Sequence, residues 1–132
     1  EQSKRYLEND SIFIFFKTLE SLRIENKLHT INTSKITNDT PKTDILYSDD
    51  YVWIESVNVF AKIKLACQNE GISFDLSRQE LYQKLESEKL LITKDNRRSY
   101  EYRKGQFRQS VICLPRNNLN RYLTYDKEDI KL

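Results

Sequence analysis

The sequence predicts a mostly helical α+β domain with an antiparallel β-hairpin near its C-terminal end. Three observations predict it. Asp10 to Leu28 and Val57 to Glu70 carry apolar side chains at helical spacing. Ser77-Arg78-Gln79-Glu80 matches the S-x-x-E capping box that opens a helix. Ser99 to Leu114 reads as two β-prone runs about a glycine at 105.

The elements follow in order. In the first helix Ile12, Phe15, Phe16, Leu19 and Leu22 share a face, and Asp10 or Ser11 can cap its start. The stretch NTSKITNDTPKTD, residues 32–44, is polar and holds Pro41, so it is expected to be a linker or mobile loop. Ile45–Tyr47 and Tyr51–Ile54 form a short hairpin around Ser-Asp-Asp. Ser56 is expected to cap the second helix, whose apolar face is Val59, Phe60, Ile63 and Ala66 or Cys67. Gly71 fits just past its end, where a positive φ is needed. The capping box starts a third helix, from Arg78 to about Glu88, that turns Leu81, Tyr82 and Leu85 inward. Strands follow, with a tight turn at Gly105, until Pro115 stops them. A short terminal helix is expected from Asn117 to Leu123.

Two helices joined by a turn and followed by an antiparallel hairpin is the winged helix-turn-helix plan, here with an extra N-terminal helix. The expected division is an N-terminal helix and polar linker over 1–44, the winged-helix domain over 45–123, and a tail over 124–132.

Composition bounds the function. The 132 residues suit one domain, and six Phe, eight Tyr and one Trp can supply a core. The longest apolar run, Ile12 to Phe16, is far too short to span a bilayer. No signal-peptide pattern opens the chain, and Glu1 in place of Met suggests a piece of a longer protein. Cys67 and Cys113 each sit among apolar residues, so both are expected to be free and buried, which points to the cytoplasm.

Catalytic signatures are scarce. Two isolated glycines cannot build a phosphate-cradling loop, so neither an ATPase nor a cofactor site is expected. His29 has no Cys or His at metal-ligand spacing. Asp49, Asp50 and Glu55 could hold a divalent ion, as in a small nuclease, but acids in a hairpin turn more commonly serve the turn. No catalytic or metal residue is assigned.

The distribution of charge is more informative than its net value of +2. Residues 1–93 carry twelve cations and fifteen acids, while residues 94–121 carry eight cations and two acids. A basic block on a slightly acidic body is the footprint of a polyanion-binding surface. The stretch KDNRRSYEYRKGQFRQ, residues 94–109, holds most of it. Arg97, Arg98, Arg103, Lys104 and Arg108 are the expected phosphate contacts, converging on one exposed ribbon whose turn projects Lys104 and Gln106. Tyr100, Tyr102 and Phe107 could pack on the core or stack on bases. On the third helix Arg78, Gln79, Gln83 and Lys84 are further candidates, since such residues can read base edges. Glu80, Glu86 and Glu88 on the same helix oppose DNA, so backbone contact is favoured over sequence reading. The partner expected is DNA, duplex or single-stranded. The alternatives are a solvated hairpin, or a module that docks on another protein.

LSRQELYQKLESEKLLI followed by RRSYEYRKGQFRQSVICLP resembles the C-terminal winged-helix domain of AAA+ MCM-like replicative helicases and primase-helicases of staphylococcal cassette chromosomes and related mobile elements. DILYSDDYVWIESVNVFAKIKLACQNEGI resembles the lead-in of such tails, so the likeness spans about residues 45 to 115. It rests on patterns of apolar and basic positions. The resemblance implies a non-catalytic DNA-binding appendage in a bacterial cytoplasm, attached to an ATP-driven motor outside this chain.

Overall fold

The computed structural model describes residues 10–121. Among these described residues, three helices and a five-stranded mixed sheet make an α+β fold. The order is α1 (Ser11–Ile24), β1 (Thr30–Asn32), β2 (Ile45–Tyr47), β3 (Tyr51–Glu55), α2 (Asn58–Asn69), α3 (Arg78–Ser87), β4 (Ser99–Lys104) and β5 (Phe107–Pro115). A 3₁₀ turn, Arg116–Arg121, follows β5 where a short helix was expected, and the tail beyond lies outside the described residues.

The helices start and stop for identifiable reasons. Asp10 caps α1, its carboxylate accepting from the Ile12 N–H at 2.9 Å. The capping box of α3 is present in full: Ser77 Oγ accepts from the Glu80 N–H at 3.1 Å, and Glu80 accepts from the Ser77 N–H at 2.9 Å. Hydrogen bonding from the Ser77 N–H, and then from the Ser77 hydroxyl, holds the Glu80 carboxyl below its ordinary range. The start of α2 differs from expectation. Glu55, not Ser56, serves it, accepting from the N–H groups of Val57, Asn58 and Val59. A carboxylate also complements the positive end of the helix dipole. Ser56 Oγ instead meets Ser110 Oγ at 2.6 Å, joining α2's start to β5.

All three helices end alike. The residue past each C-cap takes a positive φ: Asn26 at 61°, Gly71 at 70° and Lys89 at 61°. The next N–H reaches back to the third carbonyl from the cap, as Lys27 to Leu22, Ile72 to Cys67 and Leu90 to Leu85. This is the Schellman ending. It closes α1 at Ile24, four residues before the expected limit.

The sheet order is β1-β2-β3-β5-β4. Both hairpins therefore belong to one sheet, larger than the C-terminal hairpin expected after α3. The last strand lies inside the sheet, pairing antiparallel with β3 and β4, and β1 joins β2 in parallel. Alternation gives the sheet two faces. Ile54, Val52, Ile112 and Leu114 face the helices and share the main core with Phe16, Ile63, Leu81 and Leu85. Helix α1 packs on both α2 and α3, so it is integral to this core.

The opposite face carries a smaller cluster of Ile36, Leu46, Phe107 and Val111. The polar stretch after β1 lies over it as a strap, anchored by Ile36. The amide of Gln109 grips the backbone of Thr43 at both its N–H and its carbonyl. Cys67 and Cys113 are both free and buried. Among the described residues no helix is long and apolar enough to cross a membrane.

Candidate nucleic-acid interface

Two tight turns and one helix end build the basic surface. After α3 the chain forms an isolated bridge between Lys94 and Arg97. Asp95 and Asn96 between them have φ of 53° and 64°. Two successive positive φ values define a type I′ turn, which Asp and Asn tolerate. The turn displays Lys94 and Arg97 side by side. The second turn, Gly105-Gln106, joins β4 to β5, with Gly105 at φ 59°. A positive φ at the first central position alone is the type II′ pattern.

A groove of about 640 Å³ runs between α3 and the first turn. Arg78, Gln79, Tyr82 and Glu86 line it from α3, and Asn96, Arg97, Arg98 and Ser99 from the turn. Tyr82 Oη donates to the Ser56 carbonyl at 2.5 Å, which fixes the groove floor. Burial pushes the Tyr82 phenol well above its ordinary pKa, so it stays a donor. Arg78 Nη1 lies 3.4 Å from the same carbonyl. Arg98 Nε pairs with Glu86 at 2.7 Å, tying the turn to α3.

The five expected phosphate contacts do not form one strip. Register pairs Arg103 with Arg108 and Glu101 with Ser110, and all four sit on the helix-facing side of the hairpin. Arg103 Nε is held by Glu101 at 2.6 Å. Lys104 belongs to the other face, because alternation reverses each successive side chain. Its Nζ donates to the Thr33 carbonyl at 2.6 Å. The turn does not project freely either: the Gln106 N–H donates to Asn38 Oδ1 at 2.9 Å. The hairpin tip is thus tied to the strap. Arg97 and Arg98 meet Arg78 and Gln79 at the groove, while Gln83 and Lys84 do not line it. Among the described residues no carboxylate lies within ion-pair distance of Arg97 or Arg108.

Glu55 is spent on the α2 cap, and no cluster of three potential metal ligands occurs among the described residues. His29 is exposed. Arg116, counted within the basic block, is buried and donates to the Ser48 carbonyl at 2.6 Å.

The sheet face away from the helices carries a feature that charge counting did not reveal. Tyr51, Trp53, Tyr102 and Phe107 form a continuous row of rings. Trp53 Nε1 donates to Tyr100 Oη at 2.9 Å. Burial pushes the Tyr100 phenol up to about 12 and raises the neighbouring Cys113 thiol. The period-2 recurrence of aromatics at 51 and 53 and at 100 and 102 was the available signal.

No protein-family model matches the chain, and no curated protein is significantly similar to it.

Proposed function

We propose that this chain is a non-catalytic winged-helix module that binds DNA through the phosphate backbone. One observation carries the reading. Three guanidinium groups, Arg78, Arg97 and Arg98, meet at a groove between a capped helix and a rigid turn, against the single carboxylate Glu86. A sugar–phosphate strand in that groove would exchange condensed counterions for fixed cations. Gln79 and Asn96 on the walls can donate to phosphate or sugar oxygens. Arg108 extends the charge towards the hairpin.

The chain order supports the winged-helix reading. A helix, three strands, two helices and a hairpin follow one another, and the strand just before the two helices pairs with the last strand of the hairpin. In that plan α3 is the groove-entering helix and β4–β5 is the wing. Strands β1 and β2 and the strap are then additions that brace the wing. The resemblance to mobile-element helicase tails would make the module an accessory of a replication motor.

Labelled duplex and single-stranded DNA titrated at several salt concentrations test the reading. Each lost phosphate contact flattens the log–log salt slope by about 0.9. Arg78→Ala, Arg97→Ala and Arg98→Ala together should weaken binding and flatten that slope. Lys104→Ala should leave both nearly unchanged. Affinity indifferent to the triple substitution refutes the proposal.

A second reading has its own observation. A cleft of about 460 Å³ between α1 and α2 is lined by Phe13, Ile14 and Ile72 among polar residues, with Leu65 and Ile24 exposed on those helices. Exposed apolar surface of this kind suits docking on a protein, including a motor domain of the same polypeptide. A complex that survives high salt without DNA would favour it.

A further inference from the structure

The row of rings on the strap-side face borders a second cleft. Trp53 stands on β3 and Tyr100 and Tyr102 on β4, with β5 between those strands. The rings meet all the same, with Trp53 and Tyr102 centroids 5.2 Å apart. The indole therefore lies across β5. The cleft holds about 510 Å³ and is bounded by these three rings, by Lys94, Arg97 and Arg103, and by Asp95 and Glu101. Lys94 Nζ sits 5.1 Å from the Tyr100 ring centroid.

The strap stops at the edge of the cleft, where Thr33 hydrogen-bonds the Tyr102 hydroxyl. It seals Phe107, Val111 and Leu46, but none of its residues lines the cleft. Trp53, Tyr100 and Tyr102 stay half-buried, and Tyr51 beyond them is 40% exposed. Flat π-faces beside cations match a ring joined to an anion. Nucleobases stack on such rings whatever their identity, and a cation alongside takes the phosphate. A duplex hides its base faces within its own stack, so only an unpaired nucleotide can present one.

We infer that this cleft binds an unpaired nucleotide of single-stranded DNA, its base stacked at Trp53 and Tyr102 and its phosphate held by Lys94 and Arg97. The inference does not rest on the α3 groove, which uses other residues apart from Arg97.

Trp53 is the sole tryptophan, so its fluorescence reports on this cleft alone. Oligothymidylate of about ten nucleotides, within the usual span of single-strand sites, should quench the full chain saturably. Duplex DNA of equal length should not. Tyr102→Leu keeps apolar cover but loses a stacking face, and should weaken the single-strand titration at least about fivefold. Lys94→Glu removes the cation beside the Tyr100 ring at an exposed turn position and should weaken it as well. Arg78→Ala with Arg98→Ala should leave quenching in place while duplex affinity falls. Absent quenching, equal quenching by duplex, or quenching undiminished in both cleft variants overturns the inference. Quenching lost while the groove substitutions still lower duplex affinity ends this inference and spares the groove. Quenching retained with an inert groove does the reverse.

Discussion

Replacing Gly105 with Ala should destabilise the protein by about 2 kcal/mol, and the structure divides the cost. The backbone at φ 59° lies in the left-handed region. A Cβ there costs about 1–2 kcal/mol. Stiffening the unfolded chain returns about 0.4–1 kcal/mol of that. The added Cβ would stand 2.3 Å from Asn38 Oδ1. Asn38 is exposed and can swing aside, but it then surrenders its bond from the Gln106 N–H. A hydrogen bond of this kind is worth about 0.5–1.5 kcal/mol. Gly71→Ala is the matched control, because its φ is 70° and nothing lies within 4 Å of the added atom. It should cost about 1 kcal/mol, from backbone strain alone. Urea unfolding of both variants, and of Gly105→Ala combined with Asn38→Ala, measures the difference. The double variant should be less than additive, since either change removes the same bond. Equal losses for Gly71→Ala and Gly105→Ala, or strict additivity with Asn38→Ala, would refute the account of a tethered tip.

Two more predictions follow from the site. Burial raises the Tyr100 phenol from 10.0 to about 12 and shifts Tyr82 the same way. The unfolded chain therefore releases these protons first, so stability should be full below pH 10 and fall from there towards pH 12. Urea titrations across that range should show a shallower fall in Tyr82→Phe and Tyr100→Phe than in the parent. Glu86→Gln should strengthen DNA binding severalfold at low salt, because it frees Arg98 and removes the groove's one carboxylate. Unchanged or weaker binding would mean that Arg98 takes no part.

Local structure was legible where one residue type answers one backbone need. The Ser77–Glu80 box, the Gly71 ending and the inward faces of α2 and α3 were readable for that reason. The α1 ending was not, since Asn26 occupies a position where glycine is the usual sign, whereas α3 stops at its expected limit although Lys89, not glycine, takes the positive φ. The I′ turn at Asp95-Asn96 lacked the glycine that normally marks it. Strand β1 and the strap escaped because their stability is tertiary. Three residues of parallel pairing, a buried Ile36 and a backbone grip from Gln109 are far apart in sequence. The charge block was legible as composition but not as geometry. Adjacent cations on a strand face opposite ways, so Arg103 and Lys104 could not serve one surface.

The pairing of Arg98 and Arg103 with neighbouring glutamates bears on binding less than it first suggests. Both pairs are exposed, with Arg side chains 42% and 65% accessible. Exposed pairs are worth about 0–1 kcal/mol, so a phosphate can displace the carboxylate at small cost. What the pairs do fix is position. Arg98 is held against α3, and Arg103 lies along β4 on the helix-facing side, before any ligand arrives. The Lys104 contact differs in kind, because its ammonium is committed to a backbone carbonyl on the far face. No rotamer change moves it across the sheet. The groove charge therefore resides in Arg78 on α3 and in Arg97 and Arg98 at the turn before β4, and not in the hairpin tip.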